Sequence, residues 1–86
     1  MKSKSRAVLY TKPGCHLCEE MKVEILKAQC ADLYTLEEVN INTDPVLSDQ
    51  FGFEIPVLTV DGVEAFKHRL RADEFKAYLV NRRELS

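Results

Sequence analysis

Two cysteines, Cys15 and Cys18, stand with only His16 and Leu17 between them, directly after an apolar run and a Pro13-Gly14 step. No other part of the chain narrows its fold as far. Ala7-Val8-Leu9-Tyr10-Thr11 is a near-continuous apolar segment of strand length, as expected of a central strand covered on both faces. Pro13 ends it, because proline holds its predecessor extended and cannot donate to a ladder, and Gly14 turns the chain. From Cys15 to about Ala31 the apolar positions Cys18, Met21, Ile25 and Ala28 recur at helical spacing, with Leu26 beside them. Glu19, Glu20, Lys22, Glu24 and Lys27 lie mostly off that stripe, so the segment reads as an amphipathic helix with the cysteine pair at its mouth.

That position suits redox chemistry. Residues three apart on a helix hold their Cβ atoms roughly 5–6 Å apart, whereas a disulfide wants about 3.8 Å, so closure is easiest where the helix only begins. Cys15 falls among backbone N–H groups that lack intrahelical partners and carry the positive end of the dipole. A free thiol titrates near ~8.5, and such a setting lowers it to roughly 3.5–7.5. Cys15 is therefore expected to be the nucleophile and Cys18, one turn in, the resolving thiol. Glu19 and Glu20 oppose a thiolate, but exposed charge is screened over about 8 Å while the N–H groups act at contact. Lys12 and a protonated His16 would help the thiolate.

A lone pair of this spacing also fits half a zinc site or two inert thiols. A zinc site needs further ligands, and only Cys30 remains. Adding His16 places adjacent ligands on diverging faces of one helix. The redox reading is the stronger one. Cys30 lies about 18 Å from Cys18 along a helix of 1.5 Å rise, too far to pair, and is expected to be a packing or surface thiol, with a regulatory or dimer-forming role as the alternative.

Composition sets the frame. At 86 residues the chain is expected to form one domain of residues 7–86 behind a flexible tail of residues 1–6. Its net charge of −2, with acids and bases interspersed, gives no footprint for nucleic acid or an anionic membrane. No apolar run nears the ~20 residues of a spanning helix, and the basic N-terminus lacks a signal-peptide core. Three cysteines argue against a secreted disulfide framework, so a cytoplasmic monomer is expected.

Farther along, Leu36 to Ile41 alternates as a second strand, and strand–helix–strand succession implies a right-handed crossover and a parallel pair. Asp44-Pro45 starts a short helix, Leu47 and Phe51 face the core, and Gly52 ends it. Phe53 to Val60 and Val63 to Phe66 flank Asp61-Gly62, the strongest short-range hairpin signal, with Pro56 placed at the start of a strand. Residues alone would leave the Ile55–Pro56 bond trans. A last helix from Ala72 to Arg83 carries Phe75, Tyr78, Leu79 and Arg82 on one side. The expected class is α/β with order βαβαββα, a four-stranded mixed sheet with helices on both faces.

From Val8 to Arg83 the chain resembles the glutaredoxin-like branch of the thioredoxin fold. The residues that carry the resemblance are Tyr10 through Cys18, Glu54-Ile55-Pro56-Val57 and Val60-Asp61-Gly62. The resemblance implies that Cys15 attacks and Cys18 resolves, and that Pro56 is a cis-proline beside them. It also implies that Ile55 offers backbone hydrogen bonds to an extended substrate, that Lys12 contacts a glutathione carboxylate, and that Asp73 meets its γ-glutamyl end. Departures stand out: His16-Leu17 replaces Pro-Tyr, and Leu70-Arg71 replaces Gly-Gly. Leu70 and Arg71 are expected to crowd the approach to the last helix, making the chain a poor user of glutathione.

Two functions follow. One is a small thiol–disulfide oxidoreductase acting on protein disulfides or glutathione mixed disulfides, with no bound cofactor, glutathione as a candidate co-substrate, and glutathione or a thioredoxin reductase as electron donor. The other is a non-catalytic module that holds a metal or iron–sulfur cluster, or docks on a partner.

Overall fold

The computed structural model describes the backbone of residues 4–85 and the side chains of residues 4–82. Met1 to Ser3, half of the expected tail, lie outside the described residues. Strand β1 spans Ser5–Thr11, so Ser5 and Arg6 belong to the sheet rather than to the tail. The order continues with helix α1 (His16–Lys27), β2 (Tyr34–Asn40), α2 (Pro45–Phe51), β3 (Val57–Val60), β4 (Val63–Lys67) and α3 (Ala72–Leu85). The sheet runs β2-β1-β3-β4, with β1 parallel to β2 and antiparallel to β3, and β3 antiparallel to β4. This is the expected βαβαββα order and mixed sheet.

Alternation along the central strands divides the interior in two. Ala7, Leu9, Leu58 and Val60 join Met21 and Ile25 of α1 and Phe75 and Leu79 of α3 in the larger core. Val57 faces the other way and, with Tyr10 packed alongside, joins Ile41, Phe51, Ile55 and Cys18 in a smaller one. There the rings of Tyr10 and Phe51 stack with centroids 4.5 Å apart. In the larger core Phe75 meets Tyr34 and Phe66 edge-on at 5.3 and 6.3 Å.

Several boundaries differ from the sequence expectation. Helix α1 stops at Lys27 rather than near Ala31, because Gln29 takes a φ of 51° and turns the chain into a short 3-10 turn at Ala31–Leu33. Strand β2 starts at Tyr34 rather than Leu36; it is an edge strand on which Leu36 is exposed, so apolar alternation marks it poorly. Ile41 leaves the strand for a 3-10 turn, where it is buried. Strand β3 begins only at Val57; Phe53 to Ile55 form a turn closed by the Glu54 and Ile55 N–H groups, which both donate to the Phe51 carbonyl at 2.8 and 3.1 Å. Gly52 follows α2, yet with a right-handed φ of −54°. Its smallness is what counts, since a Cβ there would lie 2.5 Å from the Ser48 carbonyl oxygen.

The hairpin is as its sequence implies. Asp61 and Gly62 both have positive φ, 52° and 82°, the signature of a tight primed turn. Asp61 also accepts the Arg6 N–H at 2.8 Å and the Arg82 Nε–H at 3.0 Å, which fastens the turn to β1 and α3.

Candidate active site

After the end of β1, Lys12, Pro13 and Gly14 turn the chain out of the sheet, with Gly14 at a φ of 77°. Cys15 follows in extended geometry as the N-cap of α1. Its Sγ accepts the Cys18 N–H at 3.2 Å, while its carbonyl accepts the Glu19 N–H at 3.3 Å. The sulfur therefore does what a serine or aspartate oxygen does at other helix starts, receiving an N–H that has no intrahelical partner. Cys15 and Cys18 are joined as a disulfide, their Cα atoms 5.2 Å apart. The two sulfurs are unequal. Cys15 is half-buried, whereas Cys18 is 1% exposed and packs with Ile41, Phe51, Ile55 and Val57.

The Ile55–Pro56 peptide bond is cis. Pro56 is buried, and its carbonyl accepts the His68 N–H at 2.8 Å. Ile55 sits in the same cluster as both cysteines, so the loop ahead of β3 forms one wall of the site. The Ile55 N–H is committed to Phe51, which leaves Ile55 one backbone group, its carbonyl, for an incoming chain.

The remaining expected site residues are spread around this centre. Lys12 is exposed and lines a small cleft with Thr11, Pro13, Glu19, Glu38 and Asn40. His16 is exposed, its Nε2 3.8 Å from Glu20. Asp73, in the first turn of α3, is exposed and lies 3.5 Å from the Arg71 guanidinium. Leu70 corrects an expectation. It is 6% exposed and belongs to the larger core with Met21, Phe75 and Leu79, so its side chain supports α3 instead of crowding the approach to it.

Two features escaped the sequence reading. Lys22 bridges Glu19 at 3.0 Å and Glu38 at 3.3 Å, and hydrogen bonds to both hold its ammonium charged to unusually high pH. Glu19, the residue after Cys18, is thus offset by a cation one turn away, which relieves the conflict it poses. Phe53, at the apex of the turn before Ile55, is 100% exposed. Among the described residues no three His, Cys, Asp or Glu side chains converge as metal ligands, and no helix is long and apolar enough to cross a membrane.

Residues 6–80 match the family of glutaredoxin-like domains. The chain belongs to that family. A glutaredoxin-like protein of Dictyostelium discoideum is 36% identical over an alignment of 75 positions that covers 80% of this chain and 68% of that protein. A Nitrosomonas europaea protein solved by NMR is 30% identical with a TM-score of 0.75, over 91% of this chain and 94% of that one. A mutant thioredoxin from Halobacterium salinarum superposes with a TM-score of 0.64 over 98% of this chain and 79% of its own, and at 17% identity it shows the shared fold alone. This glutaredoxin-like domain therefore has a thioredoxin fold, with its cysteine pair where β1 hands over to α1.

Proposed function

We propose that this glutaredoxin-like domain is a thiol–disulfide oxidoreductase that reduces protein disulfides and mixed disulfides in the cytoplasm. The observation that carries the reading is the unequal pair at the start of α1: a half-exposed Cys15 whose sulfur receives the Cys18 N–H, and a buried Cys18 bonded to it. An N–H at 3.2 Å and the positive end of a helix both favour negative charge on Cys15 Sγ. The Cys15 thiolate attacks a substrate disulfide, forms a mixed disulfide and expels one substrate sulfur as a thiolate. Cys18, its thiol deprotonated, then attacks Cys15 Sγ, which releases the second substrate thiolate and leaves the Cys15–Cys18 disulfide. Two electrons pass to the substrate, and a thiol donor, glutathione or a thioredoxin reductase, returns them.

The substrate edge is the loop of Ile55 and Pro56. An extended peptide laid against it would donate to the Ile55 carbonyl, with Phe53 beside it as an apolar contact. Lys12 supplies positive charge on the segment that leads into the nucleophile. The test is turnover of a disulfide-bonded protein substrate, followed by trapping. Cys18→Ser is expected to accumulate a mixed disulfide on Cys15 that mass spectrometry detects; a variant that turns over normally without such an adduct overturns the two-cysteine mechanism.

A further inference from the structure

Helix α3 begins in an unusual way. The Phe75 N–H donates to the Arg71 carbonyl at 2.9 Å, which makes Arg71 the N-cap residue. An arginine side chain offers only donors and cannot cap its own helix. The acceptor comes from elsewhere. Glu24, in the third turn of α1, places Oε1 3.1 Å from the Ala72 N–H, across 48 positions of sequence. Its Oε2 receives Lys27 Nζ at 3.1 Å. The Lys27 hydrogen bond, and after it the Ala72 N–H, hold this carboxyl below the usual carboxylate range, so it is an anion at neutral pH.

Glu24 also borders a groove of about 450 Å³ that runs between α1 and the segment leading into α3. Met21 and Leu70 form its apolar floor; Glu20 and Glu24 line one side, and His68, Arg69 and Arg71 the other. Glu20, on one wall, lies 3.8 Å from His16, the residue after Cys15, and Arg71, on the other, is the residue before α3. A small peptide thiol whose sulfur engages Cys15 would reach this groove past His16 and Glu20. Its carboxylates would meet Glu24, held in place by Lys27 and the Ala72 N–H, across from His68, Arg69 and Arg71, and the N–H that would receive one of them already holds Glu24.

We propose that Glu24 is a specificity-determining residue of the redox site, which occupies the N-terminus of α3 from within and turns small anionic thiols such as glutathione away. The proposal rests on the oxidoreductase reading and names what that site rejects. A peptide disulfide bound along Ile55 and Pro56 does not need the groove, so protein substrates are unaffected. The poor use of glutathione expected from the sequence is thereby assigned to charge at Glu24 and not to bulk at Leu70.

The experiment reduces the Cys15–Cys18 disulfide of the full chain with glutathione and, in parallel, with 2-mercaptoethanol, which carries no charged group besides its thiol. In each case one thiolate opens the disulfide to a mixed disulfide and a protein thiolate. A second thiolate displaces the protein sulfur, and the small thiol leaves as its own disulfide. Glu24→Gln keeps the shape and an acceptor oxygen for Ala72 but removes the charge. It is expected to raise the glutathione rate about 3- to 10-fold at low salt, from Coulomb repulsion at an intermediate dielectric, less at high salt, and to leave the 2-mercaptoethanol rate within about twofold. Glu24→Ala is expected to shift the ratio in the same direction, and Asp49→Asn, an equal charge change on α2, to leave it unchanged. A purely structural cap would move both thiols together. Equal shifts, no shift in the ratio, or a disulfide that neither thiol reduces overturn the proposal, whereas a Cys18→Ser protein that turns over a protein disulfide normally with no trapped adduct overturns the oxidoreductase reading and this one with it.

Discussion

Cys15 and Cys30 are the same residue on either side of the same helix, and the fold makes them opposites. Cys15 caps the N-terminus of α1, half-buried, with a backbone N–H on its sulfur. Cys30 lies just beyond the C-terminus, 2% exposed, inside the larger core with Tyr34 and Ile25. Burial pushes its thiol above the ordinary range, slightly offset by Lys76 and reinforced by Asp32. Helix direction accounts for part of this contrast: the end that favours a thiolate is open to a substrate, while the other thiol is kept neutral by desolvation. Reactivity is thus set by which end of a helix a cysteine occupies and by what covers it, not by the residue type.

The sharpest way to break the comparison is to remove one sulfur at a time. Cys15→Ser is expected to abolish disulfide reduction outright, while Cys30→Ser keeps turnover within about twofold of the wild type, because Cys30 touches nothing in the site. An assay on a protein disulfide checks both, and a Cys30 variant as inactive as the Cys15 variant, yet folded by circular dichroism, would reverse the assignment. Labelling gives the next largest effect. After reduction, iodoacetamide at neutral pH is expected to modify Cys15 at least ~10-fold faster than Cys30, given the thiolate fractions the two settings favour. Peptide mapping reads the order, and in denaturant the difference should vanish. Label on Cys30 first would mean that the core opens faster than the site reacts.

The contrast between the two thiols also shows what a sequence carries. The cysteine spacing, the apolar stripe of α1 and the Asp61-Gly62 turn are local signals with local causes, and they place Cys15, Cys18 and the hairpin correctly. The short reach of β3 was hidden because Phe53 reads as strand but stands on a turn, its neighbours' N–H groups tied to Phe51. Leu70 reads as a ligand-side residue because its position in the resemblance says nothing about which way its side chain points. Glu24 was legible only as a charge off the apolar stripe. Its contact with Ala72 exists because α1 and α3 pack side by side, and no periodicity encodes that. The one sequence hint was an arginine where a helix needs an acceptor.

The smallest effect is the most specific to Cys30. Replacing it with Ala removes a buried sulfur from the larger core and is expected to cost roughly 1–2 kcal/mol near pH 7, at the low end for core truncation. The pH dependence then distinguishes a neutral packing thiol from an ionised one. In the unfolded chain Cys30 loses its proton in the ordinary thiol range, whereas the folded protein holds that proton to higher pH because burial disfavours the thiolate. Above pH 9 the unfolded state therefore binds fewer protons than the native state, and stability falls as pH rises. The contribution is whole below pH 9 and declines above it until the folded thiol ionises in turn. Tyr34, whose hydroxyl is raised from 10.0 by the same burial, adds its own loss at higher pH, so the useful window lies between pH 9 and 10. Urea unfolding of the oxidised protein, in which Cys15 and Cys18 do not titrate, isolates the third thiol. Cys30→Ala is expected to flatten the decline in that window, and an unchanged slope would show that Cys30 is not the group whose proton the core retains.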